Sequence, residues 1–183
     1  MSMSEMIEPY YPEQAAGATP FSSINILGTL AELELNPRSY VVTGGASLVL
    51  RQIRETTTDI DMLVSDAGYR QLLAVEGAVQ HRPPAEASWR GANNMTIALQ
   101  TNGGIPVSAT QTLYGAGYHE MSFSRVKMTA NTVKGIPCLS LDELIASKTA
   151  LRRPKDITDL QLVAKFLGRN LHIPEPSSAN PEY

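Results

Sequence analysis

The chain is short of several things, and each shortage removes a class of function. It has one cysteine in 183 residues, Cys138. No intramolecular disulfide can form, and a reducing cytosol suits such a chain. It has three histidines, His81, His119 and His172, scattered without the paired spacing of a zinc site. No run of 18 apolar residues is present, so no transmembrane helix and no membrane partner is expected. The opening MSMSEMIEPYYPEQ is acidic and polar, unlike the basic and then apolar start of a signal peptide. A cytoplasmic location is therefore the expectation. There is no excess of positive charge either. The net charge is −3, which gives no global sign of nucleic-acid binding.

What is present is 43% hydrophobic residues, enough for one core. Residues 1–20 read as a loose arm, and Pro174 to Tyr183 as a tail that packs little. Between them the pattern alternates. A helix is expected over Ser22–Glu34 and a short strand over Tyr40–Thr43. A helix over Ala46–Ile53, a strand over Thr58–Val64 and a helix over Ala67–Val75 follow. Met95–Gln100 and Ile105–Ala109 read as strands joined by Asn102-Gly103-Gly104, a hairpin signal. Arg125–Asn131 and Gly135–Leu139 read as weaker strands. Leu141–Leu151 and Asp156–Leu167 read as helices parted by Arg152-Arg153-Pro154. The fold class is thus α/β (α+β), a mixed sheet flanked by helices. The expected division is an α/β core over 21–139 and a packed helical segment over 140–172, with flexible ends at 1–20 and 173–183.

Two features carry chemistry. Gly44-Gly45-Ala46-Ser47 follows a strand and opens a helix. Helix N-termini present free N–H groups, and glycine lets a phosphate approach the backbone. Ser47 adds a hydroxyl. A plain tight turn reads the same way. Asp59 and Asp61 are two apart in an apolar strand, so they share a face, about 6–7 Å apart. Two acids so close raise each other's pKa unless a cation lies between them. Oxygen ligands on one face suit Mg²⁺, which also takes waters and phosphate oxygens. The polar face of a half-buried strand gives the same spacing. The two features together describe a site for a metal-bound triphosphate.

The stretch GGASLVLRQIRETTTDIDMLV resembles the nucleotidyltransferase superfamily, related in plan to DNA polymerase β. GIPCLSLDELIASKTALRRPKDITDLQLV is similar to the closing segment of small prokaryotic and phage members akin to AbiE-type toxins. The resemblance implies a nucleotidyltransferase-like fold and transfer of an NMP from an NTP to a hydroxyl. Gly44, Gly45 and Ser47 would hold the triphosphate, and Asp59 and Asp61 would bind Mg²⁺ or Mn²⁺. Lys148 would reach the nucleotide phosphates. Arg54 would steady them, though a solvated helix-end arginine fits equally. Asp156 and Asp159 would bind or orient Lys148 or the nucleotide. The acceptor would be a tRNA 3′ end, a protein hydroxyl or a small molecule such as an antibiotic. A cognate antitoxin or other protein partner, in a toxin–antitoxin or phage-defence setting, is implied as well.

One departure stands out. The family carries a third acid on a later strand, where this chain reads Ile105-Pro106-Val107-Ser108-Ala109-Thr110. Ser108 is no base without help. A non-catalytic binding module that has lost this acid is the alternative reading. Pro106 suggests a sheet edge. Trp89-Arg90 reads as a base-stacking loop or a core plug. The Arg152–Lys155 cluster reads as a phosphate contact or a solvated corner. Cys138 reads as a buried thiol. Tyr114, Gly115, Gly117 and Tyr118 suggest a mobile loop.

Overall fold

In the computed structural model, residues 20–81, 95–115 and 118–177 are described, with side chains only outside 113–120. Trp89, Arg90, Gly117, the His119 side chain, almost all of the arm and the last residues of the tail lie outside that set.

The chain begins with α1, Ser23–Leu33, started by Ser22, whose backbone N–H donates to Asn25 Oδ1 at 3.0 Å. A short 3-10 turn at Pro37–Ser39 leads into β1, Tyr40–Thr43. Then come α2, Gly44–Leu50, and β2, Ile60–Val64. The helix α3, Asp66–Leu73, is capped by Ser65 Oγ, which accepts from Gly68 N–H. Strands β3, Val79–His81, β4, Thr96–Gln100, and β5, Pro106–Thr110, follow. A separate hairpin pairs β6, Thr112–Gly115, with β7, Tyr118–Ser122. The rest is α4, Phe123–Thr129, β8, Asn131–Val133, β9, Ile136–Cys138, α5, Leu141–Leu151, and α6, Pro154–Leu167.

Seven strands form one mixed sheet in the order β3-β4-β5-β2-β1-β9-β8. β2 runs antiparallel to β1 and parallel to β5. Side chains alternate across a strand, and both faces of the middle strands are buried. Val42, Met62, Ala109 and Ile97 face α1, α2 and α3 through Ile26, Leu30, Val49 and Leu72. Val41 and Leu63 face the other way, against Leu48, Val126, Leu144 and Val163. Helices therefore cover both faces, as the mixed α/β reading anticipates.

Four expectations need correction. Residues 123–129 are helical, where a strand was expected over 125–131. Phe123, Val126 and Ala130 pack on the core at helical spacing, while Met128, which an alternating strand would bury with Val126, is 86% exposed. Pro106 does not mark a sheet edge. β5 lies inside the sheet, and Pro106 is its first residue, a place where a missing N–H is tolerated. The acidic strand begins at Ile60, so Asp59 stands just outside the ladder. Tyr114, Gly115 and Tyr118 belong to strands β6 and β7 rather than to a loop. Four short strands, β3, β6, β7 and β8, are additions with too few residues to show a clear period.

Candidate active site

The site starts at the end of β1. Thr43 pairs with Asp61 in the β1–β2 ladder, so the glycine turn after Thr43 is set beside the acids. Gly44 has φ +58°, and a Cβ there would lie 3.1 Å from Asp61 Oδ2. Glycine suits both the left-handed backbone and the close approach to the carboxylate. A Cβ on Gly45 would lie 2.9 Å from Thr57 Oγ1 and 3.0 Å from Arg54 Nη1. The turn is thus flanked by one carboxylate, one hydroxyl and one guanidinium.

Ser47 is fully buried, and its hydroxyl donates to Gly44 O at 2.8 Å. Here the hydroxyl is committed to holding the turn. Thr57 is fixed by a two-way backbone bridge to Phe21, with Phe21 N to Thr57 O at 2.7 Å and Thr57 N to Phe21 O at 3.0 Å. That bridge ties the loop between α2 and β2 to the start of α1.

Asp59 and Asp61 sit together under partial cover. Burial, and then the charge of Asp59, push Asp61 up to about 8, against the pull of Arg153 and Lys148. Burial also raises Asp59, opposed by Arg54, by a hydrogen bond from Thr57 and by Arg153. Asp61 is therefore mostly protonated at neutral pH when nothing cationic lies beside it.

Lys148 stands at the centre of a buried charge network. Its Nζ lies 2.7 Å from Asp159 Oδ2 and 3.1 Å from Asp156 Oδ1. Arg153 grips Asp156 with Nε at 2.7 Å and Nη2 at 3.1 Å. Arg54 Nη1 reaches Asp159 Oδ1 at 3.4 Å. Burial works to raise Asp156, but the hydrogen bonds and charges of Arg153 and Lys148 hold it below the usual carboxylate range. This network joins α5 and α6 to the loop that carries Arg54. It brings together Arg54, Lys148, Asp156 and Asp159, four residues singled out in the sequence. Lys148 is thus matched by two carboxylates within the network.

Two contributors were not legible beforehand. Thr57 is one of three consecutive threonines, and nothing in the sequence separates it from Thr56 and Thr58. Arg153 read as part of a phosphate contact or a solvated corner, whereas its side chain is 14% exposed and bound to Asp156. The Arg-Pro-x-Asp spacing was the signal, since Pro154 starts α6 and puts Asp156 three residues after Arg153.

Ser108 stands on the strand where the resemblance leads one to expect a third acid. Ser108 pairs directly with Asp61 across β5 and β2. Its hydroxyl is buried and has no hydrogen-bond partner. Among the described residues, no group of three or more His, Cys, Asp or Glu side chains is placed to hold a metal. His81 is half-buried on β3, and His172 is exposed beyond α6. Cys138 is fully buried, with its thiol pushed up by burial to about 11. A cavity of about 540 Å³ opens at the start of α5, lined by Thr129, Asn131, Ser140, Asp142 and Glu143 among others, and none of the site residues lines it. Among the described residues, no helix is long and apolar enough to cross a membrane.

No protein-family model matches the chain, and no curated protein does. Two solved structures are similar in fold. One is TM1012 from Thermotoga maritima, a proposed nucleotidyltransferase, 17% identical over 81% of this chain and 96% of that one, with a TM-score of 0.49. The other is JHP933 from Helicobacter pylori, 12% identical over 78% of this chain and 66% of that one, with a TM-score of 0.45. Likenesses this distant leave the chemistry to be argued from the site itself.

Proposed function

We propose that the chain is a metal-dependent nucleotidyltransferase that moves an NMP from an NTP to an acceptor hydroxyl. The observation that supports this most is the contact between the glycine turn and the acid pair. A side chain at Gly44 would crowd Asp61 Oδ2, and Asp61 is held up to about 8 by burial and by its neighbour. Backbone N–H groups for an anion and two crowded carboxyls for a cation meet at one point, which is what a metal-bound triphosphate requires.

The donor set fits Mg²⁺ or Mn²⁺. Asp59 and Asp61 supply two carboxylates, which suits an ion that completes its shell with waters and phosphate oxygens. When bound, the metal would neutralise the triphosphate. The chain's own residues do the rest. The Gly44-Gly45 turn cradles the phosphates. Arg54, beside Gly45, meets their charge, and Asp159 restrains it. Lys148 and Arg153 set the local field and hold α6 against the site. A tRNA 3′ end or a protein hydroxyl as acceptor, and a toxin–antitoxin or phage-defence role, follow only from the sequence resemblance.

Calorimetric titration of the four NTPs, with Mg²⁺ or Mn²⁺, into wild type and the Asp59→Ala/Asp61→Ala double variant tests this. Metal-dependent binding in wild type, lost in the double variant, is expected. Failure of every NTP to bind would sink the proposal.

A second reading is a binding module without turnover. It is favoured by Ser108, which sits in register where a third carboxylate would complete the site. On that reading NTP binds but neither pyrophosphate nor NMP is released.

A further inference from the structure

The chain enters its fold beside the nucleotide site. Phe21, half-buried against the core, forms an antiparallel bridge with Thr57. Thr57 is the residue that touches both halves of the site. Its Oγ1 lies 2.9 Å from where a Cβ on Gly45 would stand, and it donates to Asp59 O at 3.3 Å. Bridged backbones lie about 4.8 Å apart, so Phe21 is held one strand spacing from that residue. The heading is set as well. The two backbones run in opposite directions at the bridge. Passing from Phe21 back to the exposed Pro20 therefore runs the same way as passing from Thr57 toward Asp59. The two hydrogen bonds of the bridge thus fix where everything upstream of Phe21 departs.

Upstream of Phe21 the sequence carries hydroxyls of two kinds. Tyr10 and Tyr11 are adjacent phenols, while Ser2, Ser4 and Thr19 are alkyl hydroxyls. The site favours the phenols. Ser108 faces Asp61 from the next strand, and Asp156 and Asp159 are held by Lys148, Arg153 and Arg54. None of these three is placed to act as a general base. An acceptor that gives up its proton with little help suits such a site. A phenol, ordinarily near 10, does so more readily than the alkyl hydroxyl of serine or threonine. Reach is ample too. Tyr11 is ten residues from Phe21, a tether that spans at most about 33–36 Å. Asp59 is only two residues from Thr57.

We propose that the chain nucleotidylates itself in cis, on Tyr10 or Tyr11, because the Phe21–Thr57 bridge tethers these phenols beside the nucleotide site. This rests on the nucleotidyltransferase reading above and adds an acceptor to it. Tethering makes the encounter intramolecular, and a short linker gives an effective concentration on the order of millimolar. In the step, the phenol oxygen bonds to the α-phosphorus. The bond from that phosphorus to the bridging oxygen of the β-phosphate breaks. Pyrophosphate leaves with the electron pair, and the phenol proton passes to water. The product is a tyrosyl NMP phosphodiester on the chain itself.

The test uses the full chain with Mn²⁺ and each of the four NTPs in turn, read by intact-protein and peptide mass spectrometry. A mass gain of one NMP, mapped to Tyr10 or Tyr11, is expected. Its rate per chain should hold over about a hundredfold dilution of the protein, as an intramolecular reaction requires. Asp59→Ala/Asp61→Ala should abolish the adduct. Tyr10→Phe/Tyr11→Phe should lower it by about tenfold or more. Inserting about twenty Gly and Ser residues between Pro20 and Phe21 triples the tether, so the rate should fall about fivefold, by the −3/2 power of length. NTP affinity, measured by calorimetry on the same proteins, separates the two levels. If no NTP binds wild type, the nucleotidyltransferase reading fails and this proposal with it. Four results would overturn the proposal and leave the nucleotide site standing once NTP binds. No adduct forms, or it maps elsewhere or survives the double tyrosine variant, or its rate per chain rises with protein concentration, or the longer tether changes nothing.

Discussion

Asp61 holds its proton through most of the physiological range, and the consequence for stability can be worked out. Its ordinary value is 3.8, and in the fold it is held up to about 8. The folded chain thus keeps a proton that the unfolded chain releases. That contribution is fully present below pH 4 and is lost as pH climbs through about 8. Metal-free wild type should therefore lose stability between pH 5 and pH 8.5. Asp61→Asn, which never ionises, should remove most of that slope. Urea denaturation at several pH values reads it, and parallel slopes for the two proteins would refute the assignment. Ser108→Asp asks a related question. A third carboxylate in register with Asp61 should destabilise the metal-free protein by like-charge crowding. It should also tighten Mn²⁺ binding in a direct titration. A site that gains nothing from the added acid would not be a metal site.

The helices α5 and α6 are held to the sheet by charge as well as by packing. Lys148 is 6% exposed between Asp156 and Asp159, which are themselves buried. Removing one partner of such a group leaves buried charge without compensation, at a cost of about 3–5 kcal/mol. Lys148→Ala should cost that much in chemical denaturation, and a loss within about 1 kcal/mol, the scale of an exposed pair, would show that the network does not support the fold. How much of this the sequence shows differs by element. Tyr40–Thr43 and Leu141–Leu151 are legible to the residue because a breaker or cap stands at each end. α4 is not, because Val126, Met128 and Ala130 alternate as a strand would, and only the cover over Phe123 and Val126 decides for a helix. The glycine turn and Asp61 stand out in the sequence, and the β1–β2 register sets them side by side, though each alone also reads as a plain turn or a polar strand face. The placement of Arg153 inside the network is not, because its burial depends on where α6 docks.

At the scale of the molecule, the two cores share one sheet. Val41 and Leu63 on one face are covered by Leu144 and Val163 from α5 and α6, together with Leu48 and Val126. Residues 1–139 alone would expose that face, so a chain cut after Leu139 should aggregate or fail to unfold cooperatively, as circular dichroism and light scattering would show. A soluble, cooperative 1–139 fragment would mean that the helical segment is separable. The ion pair between Arg54 and Asp159 joins residues 105 apart in sequence. During synthesis at about 5–20 residues per second, on the order of 5–20 s separates the two partners. Throughout that interval the glycine turn and both acids already exist while their restraint does not. The restraint on Arg54 therefore forms only after the loop that carries it has been made.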